Sequence, residues 1–354
     1  MIRQAIVKRR VVSMTLAAII GAFVVAGCGG SGDSSGSGSS STADGTAAKN
    51  IRIAFFTDSL DNAYLQAGVA AGKEVAAKRG VKLDVISAGW DPNKQLTQIQ
   101  DAVASQRYDA MVVESIDGQV TCKALTKAAK RMVVSIYNAP ICGNYTSLFT
   151  PGTVGFFGRN EYNGGQMMAD QLAKAIGKNG KVGYISGPAQ AGIVKNGTTA
   201  GIKAKLKDYP NVKLVAELDG AWDPAKGLAA TQDLLQAHPD VDGIIYGVDQ
   251  MAVPSIGWLK QTNKLGKRKI VTLGGTTQGV KLIEDGSIYS SVNSLPREEA
   301  AHAVAAAIDR LQNKPTGFPG WDAKTKVYDV LKDPQQPPIL DKSNAGGITA
   351  QWGV

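Results

Sequence analysis

The sequence predicts an α/β fold made of two doubly wound parallel-sheet lobes, on three observations. Short apolar strands alternate with amphipathic helices from residue 51 onward. The alternation restarts after Phe157. A Trp-Asp-Pro element recurs in the two halves at an offset of 132 residues. Apolar strands separated by helices form parallel sheets covered on both faces. Two similar halves in one chain imply two lobes facing each other.

The chain begins with a targeting pattern that takes no part in this fold. Arg3, Lys8, Arg9 and Arg10 precede an apolar run, residues 11–25, broken only by Ser13, Thr15 and Gly21. The run is short for a membrane span, which needs about 20 apolar residues. It ends in Val25-Ala26-Gly27-Cys28, small residues ahead of a cysteine, as in the bacterial lipobox. Residues 1–27 therefore read as a lipoprotein signal peptide and Cys28 as the lipid-bearing residue; an uncleaved N-terminal anchor is the alternative. Residues 28–49 are rich in Gly and Ser and have no apolar residues with which to build a core, so they read as a tether.

The body then unfolds as strand and helix in turn. In the first half the expected strands are 51–56, 82–87, 110–114 and 132–137, and the expected helices 63–79, 94–106 and 120–131. Gly80 closes the first helix. In the second half the expected strands are 181–186, 213–218, 243–246, 269–273 and 288–292.

The repeat aligns Gly89-Trp90-Asp91-Pro92-Asn93-Lys94 with Ala221-Trp222-Asp223-Pro224-Ala225-Lys226. Each copy is followed by Gln-Asp and then by an apolar strand. Asp91 and Asp223 suit a helix cap, and the proline after each suits the first helical turn. Trp90 and Trp222 then fall at the carboxyl ends of strands, where open α/β sheets bind ligands. For each, the alternative is a packing aromatic at a strand–helix corner.

Charge and motifs exclude several functions. Four of the 39 basic residues and none of the 30 acidic ones precede Cys28, leaving a formal charge of +5. No Lys/Arg run carries interleaved aromatics, so no nucleic-acid partner is expected. His238 and His302 have no partner at metal-ligand spacing, so neither a metal nor another cofactor is expected. From residue 50 onward there is no Gly-x-Ser-x-Gly elbow, and Gly274-Gly275 lacks the Lys and Ser/Thr of a phosphate loop. Asp58 and Glu114 could be paired carboxylates of a glycosidase, but binding proteins also place acids on sugar hydroxyls, so no enzyme is expected. Cys122 and Cys142 remain after Cys28, an even pair in an oxidising compartment. They are expected to form a disulfide; two free thiols are the alternative.

These features resemble the type I periplasmic binding proteins, in particular the ribose-binding group, from about Ile51 to about Leu331. The most specific stretch is Ala221-Trp222-Asp223-Pro224-Ala225-Lys226-Gly227-Leu228, continuing through Asp233-Leu234-Leu235-Gln236-Ala237-His238-Pro239-Asp240-Val241 to Asp249-Gln250-Met251-Ala252. Leu60-Asp61-Asn62-Ala63-Tyr64, Asn163-Gly164-Gly165 and Leu295-Pro296 match as well. The resemblance implies a three-segment hinge, with an N-terminal lobe of residues 50–157 plus 296–327 and a C-terminal lobe of 158–295 plus 328–354. The lobes would close around the ligand.

It also implies a set of ligand-binding positions. Asp58, Asn62 and Tyr64 follow the first strand, and Glu114 follows the third. The family's Asp-Arg pair becomes Tyr137-Asn138, and its clamping arginine falls at Thr198. Trp222 keeps the ring-facing aromatic. Val248 replaces an Asn ahead of Asp249, Gly274 replaces an Asp, and Ser294 replaces the closing Gln. Arg159 either supplies the missing cation or lies on the hinge surface. A retained scaffold with a rewritten polar code implies a sugar or polyol other than ribose, since specificity rests on matched hydrogen bonds.

The implied function is that of a monomeric extracytoplasmic solute-binding lipoprotein, anchored to the cell membrane by its N-terminal lipid. Its partners would be a small polyhydroxyl ligand and the permease and ATP-binding subunit of an ABC importer. The alternative is a protein that presents its ligand to a membrane signalling receptor.

Overall fold

In the first lobe each strand of the sheet sends alternate side chains into two separate cores. Along Arg52–Thr57 (β1), Ile53 and Phe55 enter one buried cluster, while Ala54 and Phe56 enter the other. In the second lobe, Gly243–Tyr246 (β8) does the same, with Ile244 and Tyr246 on one face and Ile245 on the other. A strand buried on both faces cannot alternate with polar residues, which is why these strands read as unbroken apolar runs. The computed structural model describes residues 50–353 apart from 267; the expected signal segment, Cys28 and the tether lie outside the described residues.

The first sheet runs β11-β12-β5-β4-β3-β1-β2. Its central strands are β1, Lys82–Ser87 (β2), Ala110–Val113 (β3), Val133–Tyr137 (β4) and Phe156–Gly158 (β5). All pair in parallel, and the short Trp321–Asp322 (β11) adds an antiparallel edge to Val327–Asp329 (β12). Helices Ala63–Lys78 (α1), Pro92–Ser105 (α2), Gly118–Ala128 (α3) and Pro296–Leu311 (α9) cover it.

The second sheet runs β13-β10-β9-β8-β6-β7. Gly180–Ser186 (β6), Val212–Asp219 (β7), β8, Lys269–Gly274 (β9) and Ser290–Asn293 (β10) are parallel, and Ile339–Asp341 (β13) closes one edge antiparallel. Its helices are Glu161–Ala175 (α4), Ala200–Leu206 (α5), Pro224–Ala237 (α6), Asp249–Gln261 (α7) and Thr277–Glu284 (α8). A π-helical segment, Ile193–Thr199, leads into α5. No helix among the described residues is long and apolar enough to cross a membrane.

The chain passes between the sheets after β5, after β10 and after β12. The expected crossings at 157/158 and 327/328 fall slightly later. Gly158 and Asp329 still pair with each other in the first sheet, which carries β5 and β12 past those points. The crossings are tied together: the Asn160 backbone N–H donates to Asp329 Oδ1 at 3.2 Å, and Arg159 Nη1 donates to Ser294 Oγ at 2.5 Å.

Both Trp-Asp-Pro elements cap helices as their residues require. Asp91 accepts from the N–H groups of Asn93 and Lys94 at 2.9 and 3.1 Å, and Asp223 from that of Lys226 at 2.9 Å. Pro92 and Pro224 open α2 and α6. The expected helix 94–106 therefore starts two residues earlier. Cys122, on α3, and Cys142, in the loop after β4, form a disulfide.

Candidate functional site

The carboxyl ends of β1, β3 and β4 converge on a buried polar cluster beside the crossings. Backbone pairing carries β3 as far as the Glu114 N–H, which donates to the Phe56 carbonyl at 3.1 Å. That places the Glu114 side chain just beyond the sheet edge, fully buried. Its carboxylate accepts from three neighbours: Tyr137 OH at 3.1 Å, Thr57 Oγ1 at 3.3 Å, and Asn138 Nδ2. Asn138 sits in the left-handed region at φ 56°, a conformation that asparagine tolerates better than most residues.

Asp58, at the end of β1, is buried beside Glu114, and its Oδ1 has no hydrogen-bond partner. Burial, and then the charge of Glu114, push its carboxyl well above the ordinary aspartate range. Burial pushes Glu114 up to about 7, against the hydrogen bonds from Asn138, Tyr137 and Thr57. Carboxylates taken from water without a cation resist ionisation in this way.

Asn62 caps α1 by accepting from the Tyr64 N–H at 2.8 Å, which fixes the tyrosine in the first turn. The Tyr64 hydroxyl then donates to Glu299 Oε2 at 2.6 Å and lies 3.4 Å from Asn138 Oδ1. Its ring meets Trp352 edge-on at 5.1 Å between centroids. Glu299 Oε1, like Asp58 Oδ1, is buried without a partner. Burial raises Glu299 to about 8 despite the nearby Arg159.

Arg159 is not on the hinge surface, being only 4% exposed. It forms a buried ion pair with Glu161 and donates to Ser294 Oγ. Burial works against its charge, but Glu161 together with Tyr64 and Glu299 more than offsets this and keeps the guanidinium protonated. Thr198, in the π-helical segment, donates from Oγ1 to Glu161 Oε2 at 2.9 Å. One chain of hydrogen bonds thus runs from Glu114 through Asn138 and Tyr64 to Glu299, and a second joins Ser294, Arg159, Glu161 and Thr198, with the Arg159 charge near Glu299.

The remaining expected positions sit apart from these chains. Asp249, at the start of α7, is fully buried, and protein donors occupy both carboxylate oxygens. The Gly275 and Thr276 N–H groups donate at 2.9 and 3.0 Å, the Thr276 and Ser291 hydroxyls at 3.1 and 3.3 Å, and Thr272 Oγ1 donates too. The geometry thus corrects the expectation that Asp249 faces a ligand: it joins β9, β10 and the cap of α8. Gly274 makes room for it, since a Cβ there would come within 2.1 Å of the Asp249 carboxylate. Val248 caps α7 without a side-chain bond and is buried in the second lobe's apolar core.

Trp222 lies across the sheet end at Gly187, where a Cβ would meet its Nε1 at 2.2 Å. Its ring faces Trp90 from the other lobe, with centroids 6.2 Å apart. Both tryptophans adopt positive φ, 66° for Trp90 and 54° for Trp222, so the two copies of the repeat make matching strained turns at the mouth of the cleft. Sequence reasoning missed Glu299, Glu161 and Trp352. Glu161 and Glu299 each sit in the first turn of a helix just past a crossing, where acids are ordinary N-terminal residues. Only the fold brings them to the cleft.

Comparison with known proteins agrees with this architecture. Residues 53–315 match the family described as periplasmic binding protein domain. The D-apiose import binding protein of Actinobacillus succinogenes is 26% identical over 306 residues, covering 83% of this chain and 92% of the relative. The ribose import binding protein of Bacillus subtilis is 27% identical over 271 residues, covering 75% and 83%. Among solved structures, a Bacillus halodurans ABC transporter solute-binding protein with bound myo-inositol superposes with a TM-score of 0.73 at 17% identity, covering 86% of this chain and 99% of that one. An A. succinogenes solute-binding protein with bound D-allose gives 0.69 at 23% identity, covering 84% and 100%. With two parallel sheets, three crossings and a polar cluster where the sheet ends meet, the chain belongs to the periplasmic binding protein family and is a type I solute-binding protein.

Proposed function

We propose that the protein captures a small polyhydroxyl solute, a sugar or polyol other than ribose, outside the cytoplasm and hands it to the permease and ATP-binding subunit of an ABC importer. The observation that carries this reading is the acceptor-rich cluster of Asp58, Glu114, Asn138 and Tyr64 at the carboxyl ends of β1, β3 and β4. Carboxylates and amides there accept from hydroxyl donors, and the aromatic side chains suit the C–H faces of a compact ring or carbon chain. The relatives are named for apiose and ribose, and the solved neighbours hold allose, arabinose and myo-inositol, all compact polyhydroxyl compounds. The departures at Thr198, Val248 and Gly274 remove the charged and amide groups with which the ribose-binding group clamps its sugar.

Asp58, Asn62, Tyr64, Glu114, Tyr137, Asn138, Arg159, Thr198, Trp222 and Ser294 form or flank the ligand site in this reading. The protein acts as a monomer, held at the cell membrane by a lipid on Cys28 after removal of residues 1–27, with residues 28–49 as the tether. A thermal-shift panel of sugars, polyols, amino sugars and nucleosides tests the ligand class, because a ligand that binds only the folded state raises the midpoint. At least one neutral or amino polyol is expected to raise it, while ribose and anionic sugar phosphates leave it unchanged. Ribose or a sugar phosphate as the tightest ligand would overturn the reading. Mass spectrometry of membrane-extracted protein is expected to find a lipidated Cys28 at the N-terminus.

A further inference from the structure

The cleft cluster holds more acid than its own cation can balance. Asp58, Glu114, Glu161 and Glu299 are all buried there, and Arg159 is the one basic side chain among the described residues that bonds to any of them. Its Nη2 is committed to Glu161 and its Nη1 to Ser294 Oγ and the Asn293 carbonyl, while its Nε is buried without a partner. Glu114 is satisfied by Tyr137, Thr57 and Asn138. Asp58 Oδ1 and Glu299 Oε1 are left with no donor at all. An unpaired buried acceptor is costly, because it loses its hydration and gains nothing in return.

The chemistry of the missing partner follows from what those oxygens lack. A neutral hydroxyl can donate to one of them, but it supplies no charge against which a buried carboxyl could ionise. An ammonium offers three donors and no acceptor, and it brings the charge that the cluster lacks. Tyr64 stands between the two halves of the cluster, its hydroxyl on Glu299 and within 3.4 Å of Asn138. Glu299 is thereby held at the same polar centre as the strand-end acids, although it belongs to α9.

We propose that Glu299 joins Asp58 in recognising a protonated amine on the bound solute, so that the preferred ligand is an amino-substituted sugar or polyol. The inference rests on the reading of this cluster as the polyol site. Glu299 is then a specificity-determining residue, and its free oxygen and that of Asp58 are the two acceptors that select an amine over a hydroxyl.

Matched pairs separate the two ideas. Calorimetry on the full chain in detergent, at about pH 7, would compare glucose with glucosamine, galactose with galactosamine, mannose with mannosamine, and myo-inositol with its amino-deoxy counterpart. For the skeleton that binds best, the amine is expected to bind at least about tenfold more tightly than the parent. Glu299→Gln and Asp58→Asn should each bring that ratio close to one, whatever they do to the parent's own affinity. A purely structural role for either acid would lower both affinities together and leave the ratio intact. If Glu299→Gln does not fold, judged by its unliganded thermal midpoint, Asp58→Asn decides the same question. A parent sugar that binds as tightly as its amine, or a ratio unchanged in the folded variants, overturns the proposal and leaves the polyol reading standing. Failure of every sugar, polyol and amino derivative to bind overturns both.

Discussion

Each lobe buries an acid at the carboxyl end of a central strand, and the two acids are used in opposite ways. Glu114 follows β3 and accepts from three side chains, two of which, Tyr137 and Asn138, themselves belong to the cleft cluster. Asp249 follows β8 and is saturated by backbone N–H groups and hydroxyls of its own lobe. One acid sits in a network with unused acceptors beside it; the other has none to spare. In the proposed reading the first lobe supplies the strand-end acceptors of the cleft, while the second adds Glu161, Thr198 and Ser294 and the shape set by Val248, Gly274, and Trp222 lying over Gly187. A pocket that writes its specificity into one wall can change ligand without disturbing the other wall's fold.

The strongest way to break this comparison is to remove the structural acid. Asp249→Ala leaves two buried N–H groups and three hydroxyls short of an acceptor, and is expected to cost about 3–4 kcal/mol of stability. Chemical denaturation measures this. Ligand affinity, measured where the variant is still folded, should stay within about threefold of wild type. Normal stability with lost affinity would mean that Asp249 reaches the ligand after all.

Glu114→Gln should show the converse. The amide turns one acceptor into a donor and sets it against the donors of Asn138 or Tyr137. Affinity for the best sugar or polyol in the panel should fall by about 2 kcal/mol, or about thirtyfold, in calorimetry. The stability loss should be smaller than that of Asp249→Ala. A variant that binds normally would remove Glu114 from the site and leave the first lobe's wall without its central acceptor.

How much of this was legible in the sequence follows the same division. The alternation of strands and helices, the helix caps at Asp91 and Asp223 and the Cys122–Cys142 bridge are local or compositional, and residue type reveals them. Asp58, Glu114, Tyr137 and Asn138 came from the family resemblance, and the structure puts Tyr137 at the last position of β4 and the other three just past strand ends. Glu299 was not legible, because it sits 235 residues from the tyrosine that binds it and looks like any first-turn helix acid. Asp249 was misread because an Asp after a strand looks the same whether it turns outward or caps its own lobe. The difference lies in Gly274 and Gly279, whose missing side chains leave room for the inward rotamer.

The acid cluster also predicts a pH dependence whose sign can be worked out. Glu114 and Glu299 are raised to about 7 and about 8 from an ordinary value of 4.5. Above that ordinary range the unfolded chain has given up these protons and the folded chain still holds them, so rising pH destabilises the fold until both have ionised. His302, depressed to about 4 from 6.5, acts in the opposite direction, but only below about pH 6.5. The acids held below their ordinary values, such as Asp240 and Asp322, act lower still. The clean window is therefore between about pH 6.5 and 8. Without ligand, the urea midpoint should fall across that window, and Glu299→Gln should flatten the fall. The groups facing Glu299 are Tyr64 from α1, Arg159 and Glu161 from the first crossing and α4, and Glu114 from the end of β3. A midpoint that rises through the window would mean that the cluster is ionised and balanced in the folded protein.

The smallest expected effect concerns Trp222, which the second lobe sets against Trp90. Trp222 is half-buried over Gly187 and faces Trp90, which is 38% exposed and tied to Asp61 by its Nε1 at 3.0 Å. Trp222→Ala should weaken binding by about 1.5 kcal/mol, the usual worth of a buried aromatic contact. Two origins can give that number. If Trp222 stacks on the ligand, the loss is the same whether or not Trp90 is present. If it acts by closing the cleft against Trp90, the loss shrinks once Trp90 is gone. The separation of 6.2 Å lies within the range of direct aromatic pairing, so the second origin is expected to supply the larger share. In the Trp90→Ala background, Trp222→Ala should then cost only about 0.5 kcal/mol, giving a coupling of about 1 kcal/mol in the double-mutant cycle. Full additivity would return Trp222 to the ligand and give the second lobe a direct part in recognition.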